Sequence, residues 1–336
     1  MSAPIDYTPE RFAYTFGGVD PVLEIKPGEP LRVFTEDCFG GAVRGLSDLP
    51  SQVCRMDRLN PVSGPFSVIG TEPGDTLAVH LVSITPARNW GFSSTFPHFG
   101  ALTSTHAPAT LQPPLAERVW RYTIDPASGT VRYTARTTDY TMDMPLAPML
   151  GTVGVAPSGG EARSTIVPDV HGGNMDTPEL RAGTTLYLGV NVPGALFALG
   201  DGHARQGDGE AGGVAVEAAM HTVLIVDVVK GVSTPTPRIE SDTALTSIGS
   251  ARPLEDAYRM SQADLVMWVA ELTGLDLLDA YQLVSQAGRA PVGNVCDPNY
   301  TMGAQIDKRY LRGAFAYDHA HERLQTLALI TAVSQR

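Results

Sequence analysis

Lysine is nearly absent from this chain: only Lys26, Lys230 and Lys308 occur among its 24 basic residues. Thirty-six acidic residues outweigh them, giving a formal charge of −12 and a pI near 5.0. Nucleic acids and anionic membrane surfaces are bound by clustered basic faces. No Lys/Arg cluster stands out along the chain, so neither partner is expected. Cysteine is scarce as well. Cys38, Cys54 and Cys296 form no CxxC pair and cannot all pair internally, which excludes a disulfide scaffold and suits a reducing, cytoplasmic setting. No apolar run approaches the roughly 20 residues of a membrane-spanning helix. The opening MSAPIDYTPERF carries charges where a signal peptide has its apolar core. A soluble, acidic, intracellular protein is expected.

Turn-forming residues are in excess. Gly (34) and Pro (26) make up about 18% of the 336 residues, against about 12% on average, which favours many short strands over long helices. Residues 31–35 and 76–84 are apolar, β-branched runs that follow the turns Pro27–Gly28 and Pro73–Gly74, so they read as strands. Further strands are expected at 117–124, 130–136 and 184–191, with a hairpin around 125–129. Residues 214–230 read as one bent strand or two successive ones. The pattern changes near residue 253. Ser261 and Asp264 resemble a capping box ahead of Leu265, Val266, Trp268, Val269 and Leu272, and Gly274 suits the helix stop. Asp276 reads as the cap of a second helix ending at Gly288, and 318–333 as a final helix. The expected organisation is a β-rich body over 1–252 with an α+β segment over 253–336 packed on it.

Two stretches break the core pattern: HGGNMD (171–176) and GDGHARQGDGE (200–210). Four of the latter eleven residues are glycine, which argues against a helix or a central strand and for tight turns. Those turns carry Asp201, His203, Asp208 and Glu210, and carboxylates with imidazole form the ligand set of a borderline divalent ion such as zinc. Solvated turns are the plainer alternative. Both stretches flank the strand-like 184–191, so they are expected at one sheet edge. FTEDCFGG (34–41) brings Asp37 and Cys38 to a strand end, where Cys38 reads equally well as a small buried hydrophobe. Glu217 stands within the alternation VAVEAAM. If buried, it needs a metal, a proton or a cation; otherwise its face meets water. GxGxxG at Gly207, Gly209 and Gly212 lacks a preceding strand and a following helix, and no dinucleotide site is read from it. His80 reads as a core histidine, and His319 and His321 as residues of an exposed helix.

Taken together, DCF (37–39), PVSGPFSVIGTEPGDTLAVHLVSI (61–84), APMLGTVGVAP (147–157), HGGNMD, GDGHARQGDGE with Glu217, and GLDLLDAYQLVS (274–285) resemble the acetamidase/formamidase family. The resemblance runs in order over residues 31–312. It implies a mainly β fold with a β-sandwich and β-barrel body and an α+β C-terminal part. It also implies homo-oligomers, dimeric or larger, and metal-assisted hydrolysis of small amides, with lactams as the substrates of a related branch. On this basis the ion, zinc by preference, is assigned to His171, Asp37 and Asp176 with His203 completing the shell, and calcium is a candidate for an additional structural ion. Glu217 is the expected proton shuttle. Asn174, with the N–H groups of Gly172–Gly173, is assigned to the developing oxyanion, and Asp208 joins the catalytic candidates. Carboxylate roles are interchangeable at this stage. Two rival readings are a Cys38 nucleophile and a β-sandwich binding module holding calcium.

Overall fold

A computed structural model describes residues 4–103 and 114–333. The expected strands form, as Pro30–Thr35, Thr76–Pro86, Arg118–Asp125, Thr130–Thr134 and Thr185–Gly189. Residues 125–129 join the middle two of these as an antiparallel hairpin. The long apolar stretch resolves into two strands, Val216–Glu217 and Met220–Val229.

These strands build two large sheets, neither of which closes on itself among the described residues. The first runs in the order Ile5–Tyr7, Pro30–Thr35, Met220–Val229, Thr76–Pro86, Thr185–Gly189, Arg238–Glu240, Ala244–Ala251, Tyr300–Asp307 and Val292–Asn294. The second contains, side by side, Trp90–Thr95, Val216–Glu217, Phe197–Arg205, Met149–Gly154 and Gly172–Asn174, with Val62–Val68 also paired to Phe197–Arg205. One buried apolar cluster draws on both sheets, joining Leu77, Val79, Leu186 and Leu224 of the first to Phe66, Leu150, Phe197 and Leu199 of the second. That shared core makes the body a β-sandwich.

Residues beyond 252 supply helices Leu254–Thr273, Leu277–Ala287 and Ala320–Val333, and two strands of the first sheet. Leu265, Trp268 and Val269 pack on Leu245 and Ile306 of that sheet. The first helix begins seven residues before Ser261, directly after Pro253, with Glu255 and Asp256 in its first turn. Ser261 is not a cap; it lies inside the helix and donates to the Tyr258 carbonyl at 2.9 Å. Proline followed by acidic residues starts a helix as well as a capping box does. Gly274 ends it at φ 71°, and Asp276 caps the next helix by accepting from the N–H groups of Leu278 and Asp279.

The glycine-rich stretch departs from expectation. Its first six residues belong to a central strand, Phe197–Arg205. The glycines serve close approach there instead of turning. A Cβ on Gly200 would lie 2.3 Å from the Pro61 carbonyl oxygen, and one on Gly202 would lie 2.2 Å from Met220 Cγ. His321 also differs: it is buried, joined to Thr185 Oγ1 at 2.8 Å and Asp242 Oδ1 at 3.2 Å. The helix carrying it packs its Leu324 side against Tyr187 and Ile225. His80 is a core histidine, held at Nδ1 by the same Thr185 hydroxyl at 2.9 Å.

Candidate active site

Phe197–Arg205 and Met149–Gly154 pair so that Gly200 opposes Thr152, and Thr152 opposes Asn174 on the next strand. Both polar stretches are therefore brought to one place by a single intervening strand. Three carboxylate-bearing residues there have left-handed backbones: Asp176 (φ 47°), Asp201 (φ 58°) and Glu210 (φ 43°). Such conformations cost on the order of 1–3 kcal/mol for residues other than glycine and persist where surrounding structure enforces them. All three side chains are buried.

Among the described residues, three overlapping sets of ligand atoms lie within 4.8 Å of one another: Asp176, Asp201 and His203; His203, Glu210 and Glu217; Cys38, Asp201 and Glu217. His203 is common to the first two. Its Nε2 is 3.3 Å from Asp201 Oδ1, 3.3 Å from Glu217 Oε2 and 4.0 Å from Asp176 Oδ1. Its Nδ1 meets Gln206 Oε1 at 2.9 Å. The Gln206 amide nitrogen donates to the carbonyls of Asp176 (2.6 Å) and Gly293 (3.0 Å), so its oxygen must accept, and Nδ1 carries the proton. The other ring nitrogen is thereby aimed at the carboxylates.

Burial is close to complete, with Asp176 0%, Asp201 1%, His203 1% and Glu217 2% exposed. Burial first, then the neighbouring Asp201 charge, pushes Asp176 up to about 7. Glu217 is likewise raised to about 7, chiefly by burial. Burial and Asp176 raise Glu210 well above the carboxylate range, and Asp297 is raised for the same reasons. Asp201 is lowered: burial opposes its charge, but the His203 imidazole and its hydrogen bonds outweigh that. His203 is correspondingly raised, since Glu217 and Asp201 overcome its desolvation. Five acidic groups thus face one imidazole, and no Lys or Arg lines the cavity among the described residues. Their joint ionisation needs a further positive charge.

The residues present fit a divalent cation. Both oxygens of Asp176 and Oε2 of Glu217 are buried without a hydrogen-bond donor. A Cβ on Gly151 would sit 2.3 Å from Asp176 Oδ1 and 2.5 Å from Asp201 Oδ2, so glycine is what leaves the space between them open. The fixed Nδ1–H tautomer is also what a metal-binding histidine shows. Asn60, with φ 49°, braces the group from beneath. Its Nδ2 lies 2.9 Å from both Asp201 Oδ2 and Asn174 Oδ1.

Other expected residues lie differently. Asp37 is buried but outside the three ligand sets. Its Oδ1 accepts from Gly41 N at 2.9 Å and its Oδ2 is 3.8 Å from Arg88. Burial and Glu36 push it up to about 7. His171 also lies outside them, edge-on to Phe16 at 5.3 Å, with both ring nitrogens unpartnered. Burial and Arg163 push it down to about 4. Asn174 Nδ2 donates to Asp297 Oδ2 at 2.7 Å, and Gly172 N to the Asp169 carbonyl at 3.0 Å, so these two of the assigned oxyanion donors already have acceptors. Asp208 is exposed and belongs to no ligand set. Asp201 and Glu210 carried a sequence signal through their Gly/Asp stretch without being assigned a role. Asn60, Gln206 and Asp297 had none beyond Asn-Pro and Asp-Pro turn dipeptides or a loop position.

The cluster lines a cavity of about 230 Å³ together with Phe39, Leu59, Phe96, Phe99 and Ile166. A β-sandwich with a buried carboxylate–imidazole cluster in a largely apolar cavity defines a class of small-molecule site. A profile of the Acetamidase/Formamidase family matches residues 16–160 and 158–260, and the chain belongs to that family. It is similar to the crystal structure of an acetamidase from Yersinia enterocolitica, at 41% identity and TM-score 0.86, covering 92% of this chain and 93% of that one. An acetamidase structure from Bacillus halodurans superposes at TM-score 0.82 with 29% identity, covering 92% of this chain and 99% of that one. An acetamidase of Mycolicibacterium smegmatis is 28% identical over 62% of this chain and 63% of its own length. A formamidase of Methylophilus methylotrophus is 26% identical over 56% of each. The chain thus spans between half and two thirds of the length of the curated relatives it matches.

Proposed function

We propose that the chain is a metal-dependent amidase that cleaves the C–N bond of a small amide to carboxylate and ammonia. Family membership supports the reaction class. The observation that carries the metal is His203, whose Nε2 is held against Asp201, Glu217 and Asp176 by the Gln206 bond at Nδ1.

In this reading Asp176, Asp201 and His203 would hold the ion, Asp176 and His203 as expected from the sequence and Asp201 in place of Asp37 and His171. One imidazole with carboxylates suits zinc. A divalent ion supplies two things there: it lowers the pKa of water from 15.7 to about 7 and polarises a carbonyl oxygen. Glu217 takes the proton of the attacking water and returns it to the departing nitrogen as the C–N bond breaks. Burial holds Glu217 above the ordinary carboxylate range, which favours its taking up a proton. The apolar wall excludes bulk water and strengthens each charge interaction inside. Burial and Glu217 hold the Cys38 thiol well above its ordinary range, which argues against its serving as the nucleophile.

A homo-oligomer in the cytoplasm belongs to the same reading, and the three free cysteines accord with a reducing compartment. Elemental analysis of purified protein, with ammonia release from an amide panel, tests the whole. About one bound ion per chain and chelator-sensitive turnover are expected. Turnover without any bound metal would refute the metal's part.

A further inference from the structure

Resting on the amidase reading, we propose that this site takes a neutral amide with a bulky apolar acyl group, aryl-bearing or branched, in preference to formamide or acetamide. Size is the first ground. The cavity holds about 230 Å³, whereas formamide and acetamide fill the space of about two to three waters, on the order of 60–90 Å³. Either would leave most of the apolar wall in contact with water.

Chemistry is the second ground. Beside the carboxylates the cavity lining includes Phe39, Leu59, Phe96, Phe99 and Ile166. Three aromatic rings in the same cavity as the clustered polar groups suit a ligand with an apolar body and a polar tip. A second carboxylate on the substrate would meet Asp201, Glu210, Glu217 and Asp297 with no Arg or Lys in the lining among the described residues. An anionic substrate is thereby disfavoured, and a cationic acyl group would have to lie against the Phe wall.

The wall is also prebuilt. Phe99 lies over Gly213, where a Cβ would come within 2.6 Å of Phe99 Cδ1, and Ala101 N donates to the Ala211 carbonyl at 2.9 Å. Phe39 is 5% exposed on the turn closed by Gly40 N donating to the Asp37 carbonyl at 2.9 Å. The chain that leads into Glu217 therefore packs against the ring that would contact the acyl group, and a preorganised surface spends little on ordering when it binds.

The test compares kcat/KM for formamide, acetamide, isobutyramide and phenylacetamide, using wild type and Phe99→Ala. Phenylacetamide is expected to exceed acetamide by at least about 10-fold, since each added apolar group in a fitted pocket is worth about that much. Phe99→Ala should lower the phenylacetamide-to-acetamide ratio by at least about 10-fold, mainly through KM; Leu59→Ala serves if that variant does not fold. Formamide or acetamide as the best substrate, or an unmoved ratio, would overturn the proposal. Calorimetric titration of the metal-loaded protein separates it from the amidase reading. Phenylacetamide binding about 10-fold tighter than acetamide upholds the acyl pocket even if no amide is turned over, and equal binding overturns it.

Discussion

Gln206 fixes His203 by accepting from its Nδ1 at 2.9 Å, while the glutamine's own amide is anchored on the carbonyls of Asp176 and Gly293. One side chain thus sets the imidazole's tautomer and ties it to the backbone of Asp176, another of the clustered acids. Removing such a partner costs metal-binding histidines about 10–100-fold in affinity. Gln206→Leu should lose zinc affinity by that factor in a competitive chelator titration, with the circular dichroism of the fold retained. Unchanged affinity would show that the ring needs no such support.

Gly151 is where space decides function. A methyl group placed there would collide with Asp176 Oδ1 and Asp201 Oδ2. Gly151→Ala is expected to abolish stoichiometric metal content and reduce turnover by at least about 100-fold. Gly207→Ala is the control, since nothing lies within 4 Å of a Cβ at that position. Equal metal content in both variants would contradict the assigned cradle.

Glu217 separates base from ligand. If it moves the proton, Glu217→Gln should cut kcat by about 10²–10⁴-fold while bound metal stays within about twofold of wild type. Loss of the metal would instead make Glu217 part of the shell.

Acid should weaken the fold through His80. Burial first, and His321 second, push its pKa from 6.5 down to about 4. The unfolded chain therefore takes up a proton at a pH where the folded chain does not. The stability this group contributes is complete above 6.5 and drains away as pH falls towards and past 4, by about 3 kcal/mol in all. Urea unfolding at several pH values should show His80→Gln losing less stability over that window than wild type. Parallel losses would rule this contribution out.

Sequence spacing reached some of this and missed some for reasons that are physical. The alternation in 76–84, the turn at 125–129 and the Asp276 cap are local, and each formed where it was read. Glu217 was legible as a carboxylate out of place, and it is buried. Glycine density at 200–210 misled, because Gly200 and Gly202 admit neighbouring chain within a strand, and no local pattern distinguishes that from a turn. Asp37 and His171 sit in motifs beside the site yet face Gly41 and Phe16. Asp297 reaches Asn174 across 123 residues of chain, a side-chain contact between a loop of one sheet and a strand of the other that no spacing encodes.

Asp297 also bears on how far the chain can be divided. It arrives from the segment that follows the body, between two strands at one edge of the first sheet. Severing the polypeptide at residue 252 would strip away one of the clustered acids together with the sheet edge that delivers it. The acidic cluster is thus a joint product of both halves, and neither fragment inherits it whole.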